Sequence, residues 1–255
     1  MPHSFSLSLA AVDILLEHQK LGRAPQPFEV PHLGTTFEQR AQIRDAVFRD
    51  LEGRGLARGG RLDPDAELAL QTFAAAPVSI MAVAQLEDGG QLFARAATDG
   101  QYAVVVRQDQ NLLVFSDVRP TAFVPSVVDL LPLTPAAAGQ SVTIAKPAPK
   151  QGRHRRSDDE DAYDPFRGVA KPRSSAPSQL RMVERIFQKP KKRIGQFTVS
   201  LPGSRTTPTV WFDNEDGRWF VTSREAEDGQ SWVTYAPADN ARIAHHLFEQ
   251  VQRYQ

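Results

Sequence analysis

The chain has 255 residues with 30 basic and 30 acidic side chains, so its formal net charge is zero and its pI is near 7.0. A field-driven nucleic-acid or membrane binder carries a positive excess that is missing here, and the lack of any cysteine excludes disulfides and thiolate chemistry. Hydrophobic residues make up 41%, which is enough for the core of one large or two small domains and too much for wholesale disorder.

The first apolar run is interrupted by Asp13 and is preceded by no basic segment, so no signal peptide is expected. No run approaches bilayer length. The expected location is the cytoplasm, without membrane insertion. Residues 8–19 predict a helix, because Leu9, Val12 and Leu16 recur at helical spacing and the pattern stops before Gly22. Pro25, Pro27 and Pro31 bracket a short extended piece, Phe28 to Val30. A second helix starts at Thr36, which forms a capping box with Gln39, and carries Ile43, Val47 and Leu51 as its apolar stripe. A third opens at Asp63, with Pro64 at the first helical position, and stops before Pro77.

The period then changes to two. Val78–Leu86 and Gln91–Thr98 flank Glu87-Asp88-Gly89-Gly90, a hairpin turn in composition. Gln101–Arg107 and Asn111–Val118 predict a second hairpin, entered through Asp99-Gly100. After Pro120 an apolar helix runs to Leu131, with Pro125 in or before its first turn, where a proline is tolerated. Ser141–Ala145 has the make-up of one more strand.

Residues 146–176 are rich in proline, serine and alternating charge and poor in apolar residues, which reads as a disordered linker. A helix over Ser178–Gln188 follows, with Leu180, Val183 and Phe187 on one face and Pro190 after it. Four strands are predicted at about 193–201, 208–214, 218–224 and 230–236. A last helix runs from Asp239 to Tyr254, with Ile243, Leu247 and Val251 inward. All three tryptophans lie in this second strand-rich stretch.

The two stretches overlay. Asp99-Gly100 and the strand after it match Asp216-Gly217 and the strand after it, and the approach to Pro120 matches the approach to Pro237. The expected fold class is α+β, a pseudo-twofold body of two helix–four-strand–helix halves around a central antiparallel sheet. The expected divisions are 1–145, the linker 146–176, and 177–255, forming a single compact body.

The search for chemistry is largely negative. His245 and His246 lie near Glu249 on the last helix, but adjacent helical residues point about 100° apart and do not share a metal. Asp213-Asn214-Glu215-Asp216-Gly217 lacks the spacing and closing glutamate of a calcium loop and reads as a hairpin turn. The glycine clusters at 53–55 and 59–60 do not follow a strand and open a helix as a phosphate loop does. No nucleophile elbow occurs. No catalytic residue, metal or cofactor is expected. Basic patches at 153–156 and 189–193 leave a regulatory or nucleic-acid-binding module as the alternative reading.

Several motifs in order resemble one family. They are Leu7 to Asp13, the Pro27-Phe28-Glu29-Val30-Pro31 piece, Gly55-Leu56 followed by residues 59–64, and Val118-Arg119-Pro120. They continue with Gly195 to Val199, Pro208 to Val221 and Trp232 to Asp239. Together they are similar to the EspG family of ESX (type VII) secretion-associated proteins of actinobacteria. The resemblance implies a cytosolic chaperone with a quasi-symmetric α+β body that binds the helical tip of the PPE protein in a PE–PPE heterodimer and covers an apolar patch before export. It also implies contacts from the loop between the early strands, the central sheet and the C-terminal helical region. The matching loop here is Gln85, Leu86, Glu87 and Asp88 through to Gln91. Trp211, Trp219 and Trp232 are read either as partner anchors or as core, with core favoured for tryptophans on neighbouring strands.

Overall fold

Strand alternation in both halves is resolved in one sheet. A computed structural model describes residues 4–146, 177–205, 207–225 and 230–252. The first half runs β1 (Ser4–Ser8), α1 (Leu9–His18), α2 (Phe37–Gly53), a small hairpin of β2 (Ala57–Arg58) and β3 (Arg61–Leu62), and α3 (Pro64–Ala75). It continues through β4 (Val78–Gln85), β5 (Gln91–Thr98), β6 (Ala103–Asp109), β7 (Leu112–Val118) and α4 (Phe123–Val128). The second half contains β8 (Val142–Lys146), α5 (Pro177–Gln188), β9 (Arg193–Leu201), the short β10 (Ser204–Arg205), β11 (Thr209–Asn214), β12 (Gly217–Glu225), β13 (Ser231–Pro237) and α6 (Asn240–Gln252).

The strand order is β1-β7-β6-β5-β4-β9-β11-β12-β13-β8, with β10 on β9, and every pairing is antiparallel. This order reads the same from either edge. A pseudo-twofold therefore passes between β4 and β9, where Met81 faces Thr198 and Ala82 faces Phe197. The expected α+β body around a central antiparallel sheet is observed, with one addition. Each half has an edge strand that precedes its first helix and pairs with its last long strand: β1, which is the addition, and β8, the strand expected at Ser141–Ala145, which pairs within the second half rather than the first.

The signal for β1 is present as Ser4-Phe5-Ser6-Leu7-Ser8, a period-two alternation just before the helical one. Ser8 closes the strand and caps the helix, accepting from Ala11 N–H. Other helix starts follow the predicted chemistry. Thr36 accepts from Gln39 N–H and Asp63 from Asp65 N–H, while Asp239 accepts from Arg242 N–H. The apolar helix after Pro120 ends at Val128 rather than Leu131, with Pro125 in its first turn. The linker from residue 147, the basic patch 153–156 and Tyr254 lie outside the described residues.

Helices α4 and α6 pack on one face, over Ala94, Val105, Phe197, Trp211 and Phe220, so one core spans both halves. On the opposite face α1, α2 and α3 cover the first half, around Leu15, Phe73 and Phe115, and α5 covers the second, around Val183 and Phe212. The halves meet where Gly195 faces Ala84 across β4–β9. A Cβ at Gly195 falls 2.5 Å from the Val83 carbonyl oxygen and 2.6 Å from Ala84 Cβ, closer than real contacts allow. Gly195→Ala is therefore expected to lower stability by about 1–3 kcal/mol, read as a drop in the urea midpoint. An unchanged midpoint would mean that this strand pair shifts freely.

Candidate functional site

The β11–β12 connection turns sharply at Asn214–Gly217, with the Asn214 side-chain oxygen accepting from Asp216 N–H at 2.9 Å. Gly217 has φ 121°, and a Cβ there would lie 2.7 Å from the Pro135 carbonyl oxygen. That close approach lets residues 132–138, which follow α4, lie directly on the hairpin. Arg218 N–H donates to Pro135 O at 2.9 Å, and Ala137 N–H donates to Arg218 O at 3.0 Å.

Beneath this segment is a buried ion pair. Arg218 is 0% exposed and Asp213 1%. The guanidinium forks onto the carboxylate, Nε to Oδ1 at 2.7 Å and Nη2 to Oδ2 at 2.9 Å. Its other donors reach the Asn240 side-chain oxygen, the Pro132 carbonyl at 3.0 Å and Thr134 Oγ1 at 3.2 Å. Its Cζ lies 4.6 Å from the Trp211 ring centroid. A buried charge pair offsets its desolvation only when its donors and acceptors are met in this way. The pair ties the hairpin to the end of α4 and the start of α6.

Two exposed features sit above it. Leu133 is 88% exposed on the segment just described. Beside it, between α4 and α6, lies a groove of about 580 Å³ lined by Pro125, Leu133, Thr134, Asn240 and Ala244 among others. At the same end of the sheet, β4 and β5 are joined by a short 3₁₀ turn at Glu87–Gly89, closed by Leu86 N–H to Gly90 O at 2.6 Å. Arg193, the first residue of β9, links the two. Its Nη2 donates to Glu87 Oε2 at 2.8 Å, and its Nη1 to Thr134 Oγ1 at 3.2 Å and Asp213 Oδ2 at 3.3 Å. Burial alone lowers the Arg193 pKa, but the Glu87 and Asp213 carboxylates outweigh it and raise it, so the bridge stays charged.

The residues singled out in the sequence are not all brought together. Gln85, Glu87, Asp88 and Gln91 are exposed on the turn, with Leu86 half-buried against the core. Trp211 is 0% exposed beneath α4 and α6, and Trp219 is 3% exposed on the opposite face. Both lie in the core and offer no surface to a partner. Trp232 is 41% exposed but lies at the far end of the strands, facing Arg224 and Ala145.

The basic patch 189–193 is largely compensated within the molecule. Lys189 pairs with Glu215 and Asp216, Lys191 lies over the Phe187 and Phe212 rings, and Arg193 is engaged as above. His245 lies 3.4 Å from Glu249 on an exposed face. Among the described residues no group of three or more His, Asp or Glu could hold a metal, and no helix is long and apolar enough to cross a membrane. A wider cleft of about 970 Å³ lies between α1 and the loop at 20–32. Of its three lining carboxylates, Asp13 and Glu17 pair with Arg40, Asp13 also lies 3.4 Å from His32, and the third is Glu29. Burial raises the Asp13 pKa, but hydrogen bonds from Arg40 and Leu33 N–H outweigh it and hold it below the usual range.

Leu133, Asn240 and Arg218 escape a reading of the sequence. Leu133 sits in a Pro-Leu-Thr-Pro piece that reads as a loop, and Arg218 sits in a strand whose face is fixed only by register.

One end of the sheet thus combines an exposed apolar residue, Leu133, with a polar turn at Gln85–Gln91. The chain belongs to the EspG family, whose model matches residues 8–249. Among solved structures it is similar to the type VII secretion system chaperone EspG5 of Mycobacterium tuberculosis, solved in complex with a PE25–PPE41 dimer. The TM-score is 0.63 at 11% identity, over 95% of this chain and 93% of that one, which is a likeness of fold. No curated protein matches the chain in sequence.

Proposed function

We propose that this chain is a chaperone of a type VII (ESX) secretion system. In this reading it binds a PE–PPE-like heterodimer in the cytoplasm, covers the apolar tip of the pair before export, and catalyses no reaction. The observation that carries this reading is membership of the EspG family along residues 8–249. The likeness to EspG5, solved with a PE25–PPE41 dimer, supports the chemistry of the partner.

The contact proposed is the sheet end that holds the turn Gln85–Gln91, Leu133 and the groove between α4 and α6. An apolar residue 88% exposed, beside a groove lined by Pro125, Ala241 and Ala244 with Asp129 and Asp239, suits the apolar tip of a helical partner, with Glu87 and Asp88 on the polar rim. Trp211 and Trp219 support this end from within. Trp232 would touch only a partner that also reaches the far end of β13.

Co-expression with a PE–PPE pair from the same organism tests the reading. The expected result is co-elution of all three chains on gel filtration. Leu133→Asp should weaken the complex at least about tenfold, as loss of a central apolar anchor does, while the free chain elutes unchanged. Separate elution of the wild-type chain from every such pair would refute the proposal.

A further inference from the structure

The two exposed segments at the proposed contact come from different parts of the chain. The turn at 86–90 hangs from the first half of the sheet, and Leu133 lies on the segment that follows α4. Among the described residues no hydrogen bond or ion pair joins the two segments directly. Arg193 touches both. Because Gln85 pairs with Ile194, the first residue of β9 lies under the end of β4. From there one guanidinium nitrogen reaches Glu87 at 2.8 Å, and the other reaches Thr134, the neighbour of Leu133, at 3.2 Å. The Arg193 side chain is 21% exposed and that of Glu87 46%.

Three facts make this bridge more than a surface ion pair. Its planar fork engages two groups at once, a geometry that an ammonium does not reproduce. Its inner end rests on Asp213, which Arg218 already fixes in the core. And Asp88, at φ 57°, holds a left-handed backbone that needs its neighbours to keep it in place.

We infer that Arg193 is a positioning residue for partner binding, setting the spacing between the Glu87 turn and Leu133 so that both meet one partner surface. This rests on the proposed function for the identity of the partner, but not for the bridge itself. A preorganised contact gains affinity because ordering costs are met before association.

Two measurements on the full chain test it. The first is hydrogen exchange on the free protein. Arg193→Met is expected to speed amide exchange at both 87–90 and 133–134, with exchange in β4 and β9 unchanged. No change at either segment would overturn the inference whatever the partner is. The second is affinity for a PE–PPE pair that the wild-type chain binds. Arg193→Met and Glu87→Gln should each weaken binding about tenfold, and the double variant should be no weaker than Arg193→Met alone. Arg193→Lys, which keeps the charge but not the fork, should fall between wild type and Arg193→Met. Fully additive losses would mean that Arg193 and Glu87 act independently of each other, and unchanged affinities would mean that the bridge does not matter to binding. Either result overturns the inference. If the wild-type chain binds no pair, the proposed function fails, while the exchange result still judges the bridge.

Discussion

Arg218→Met is expected to lower the unfolding free energy by about 3–5 kcal/mol, the usual cost of stripping one partner from a buried ion pair. Methionine fills much of the space but leaves the Asp213 carboxylate, 1% exposed, with the partly exposed Arg193 as its remaining cation among the described residues. It also frees the Asn240 side-chain oxygen, the Pro132 carbonyl and Thr134 from their shared donor. The loss is read from urea unfolding followed by tryptophan fluorescence, with Trp211 beside the altered side chain as the reporter. Changing Asp213 to leucine in the same chain should restore part of the loss, because the uncompensated charge goes with it. A loss under about 1 kcal/mol would mean that water or a neighbour replaces the pair without cost.

The tryptophans divide sharply in expected effect. Trp211→Ala should cost about 3–5 kcal/mol, as large-to-small changes at a fully buried aromatic do. Trp211 pairs with Gly195 across β9–β11. Its loss empties the centre of the core that joins the halves. Trp232→Ala, at a position 41% exposed, should change stability by no more than about 0.5 kcal/mol. Comparable losses at both positions, measured by the same urea titration, would contradict the division between core and surface.

Much of the fold was legible because local rules and tertiary structure agree. The change of period at Val78, the turn residues at Glu87–Gly90 and Asp99-Gly100, and the caps at Thr36 and Asp63 act within a few residues of themselves. The internal overlay was legible for the same reason, since Asp99-Gly100 and Asp216-Gly217 open equivalent strands on opposite sides of the pseudo-twofold. What escaped depends on distant partners. Ser4–Ser8 is five residues long and becomes a strand because β7 is there to receive it.

The site was legible only in part. The turn Gln85–Gln91 is visible in composition, and it is exposed as expected. The Asp213 side chain reads as a turn residue, yet register points it inward to Arg218, and a one-residue slip would put it in solvent. Arg193 reads as the last cation of a basic patch, and only the β4–β9 pairing puts it beneath Glu87. No local pattern marks Leu133 as exposed, because its exposure comes from residues 132–138 lying over the hairpin.

The central claim is that the sheet end carrying Gln85–Gln91, Leu133 and the α4–α6 groove is covered by a PE–PPE-like pair. Hydrogen exchange of the chain with and without such a heterodimer tests it most directly. Exchange is expected to slow at 85–91 and 131–136 and along the first turn of α6, with the Trp232 end of β13 unaffected. Exchange unchanged throughout, or slowed only at the Trp232 end, would contradict it.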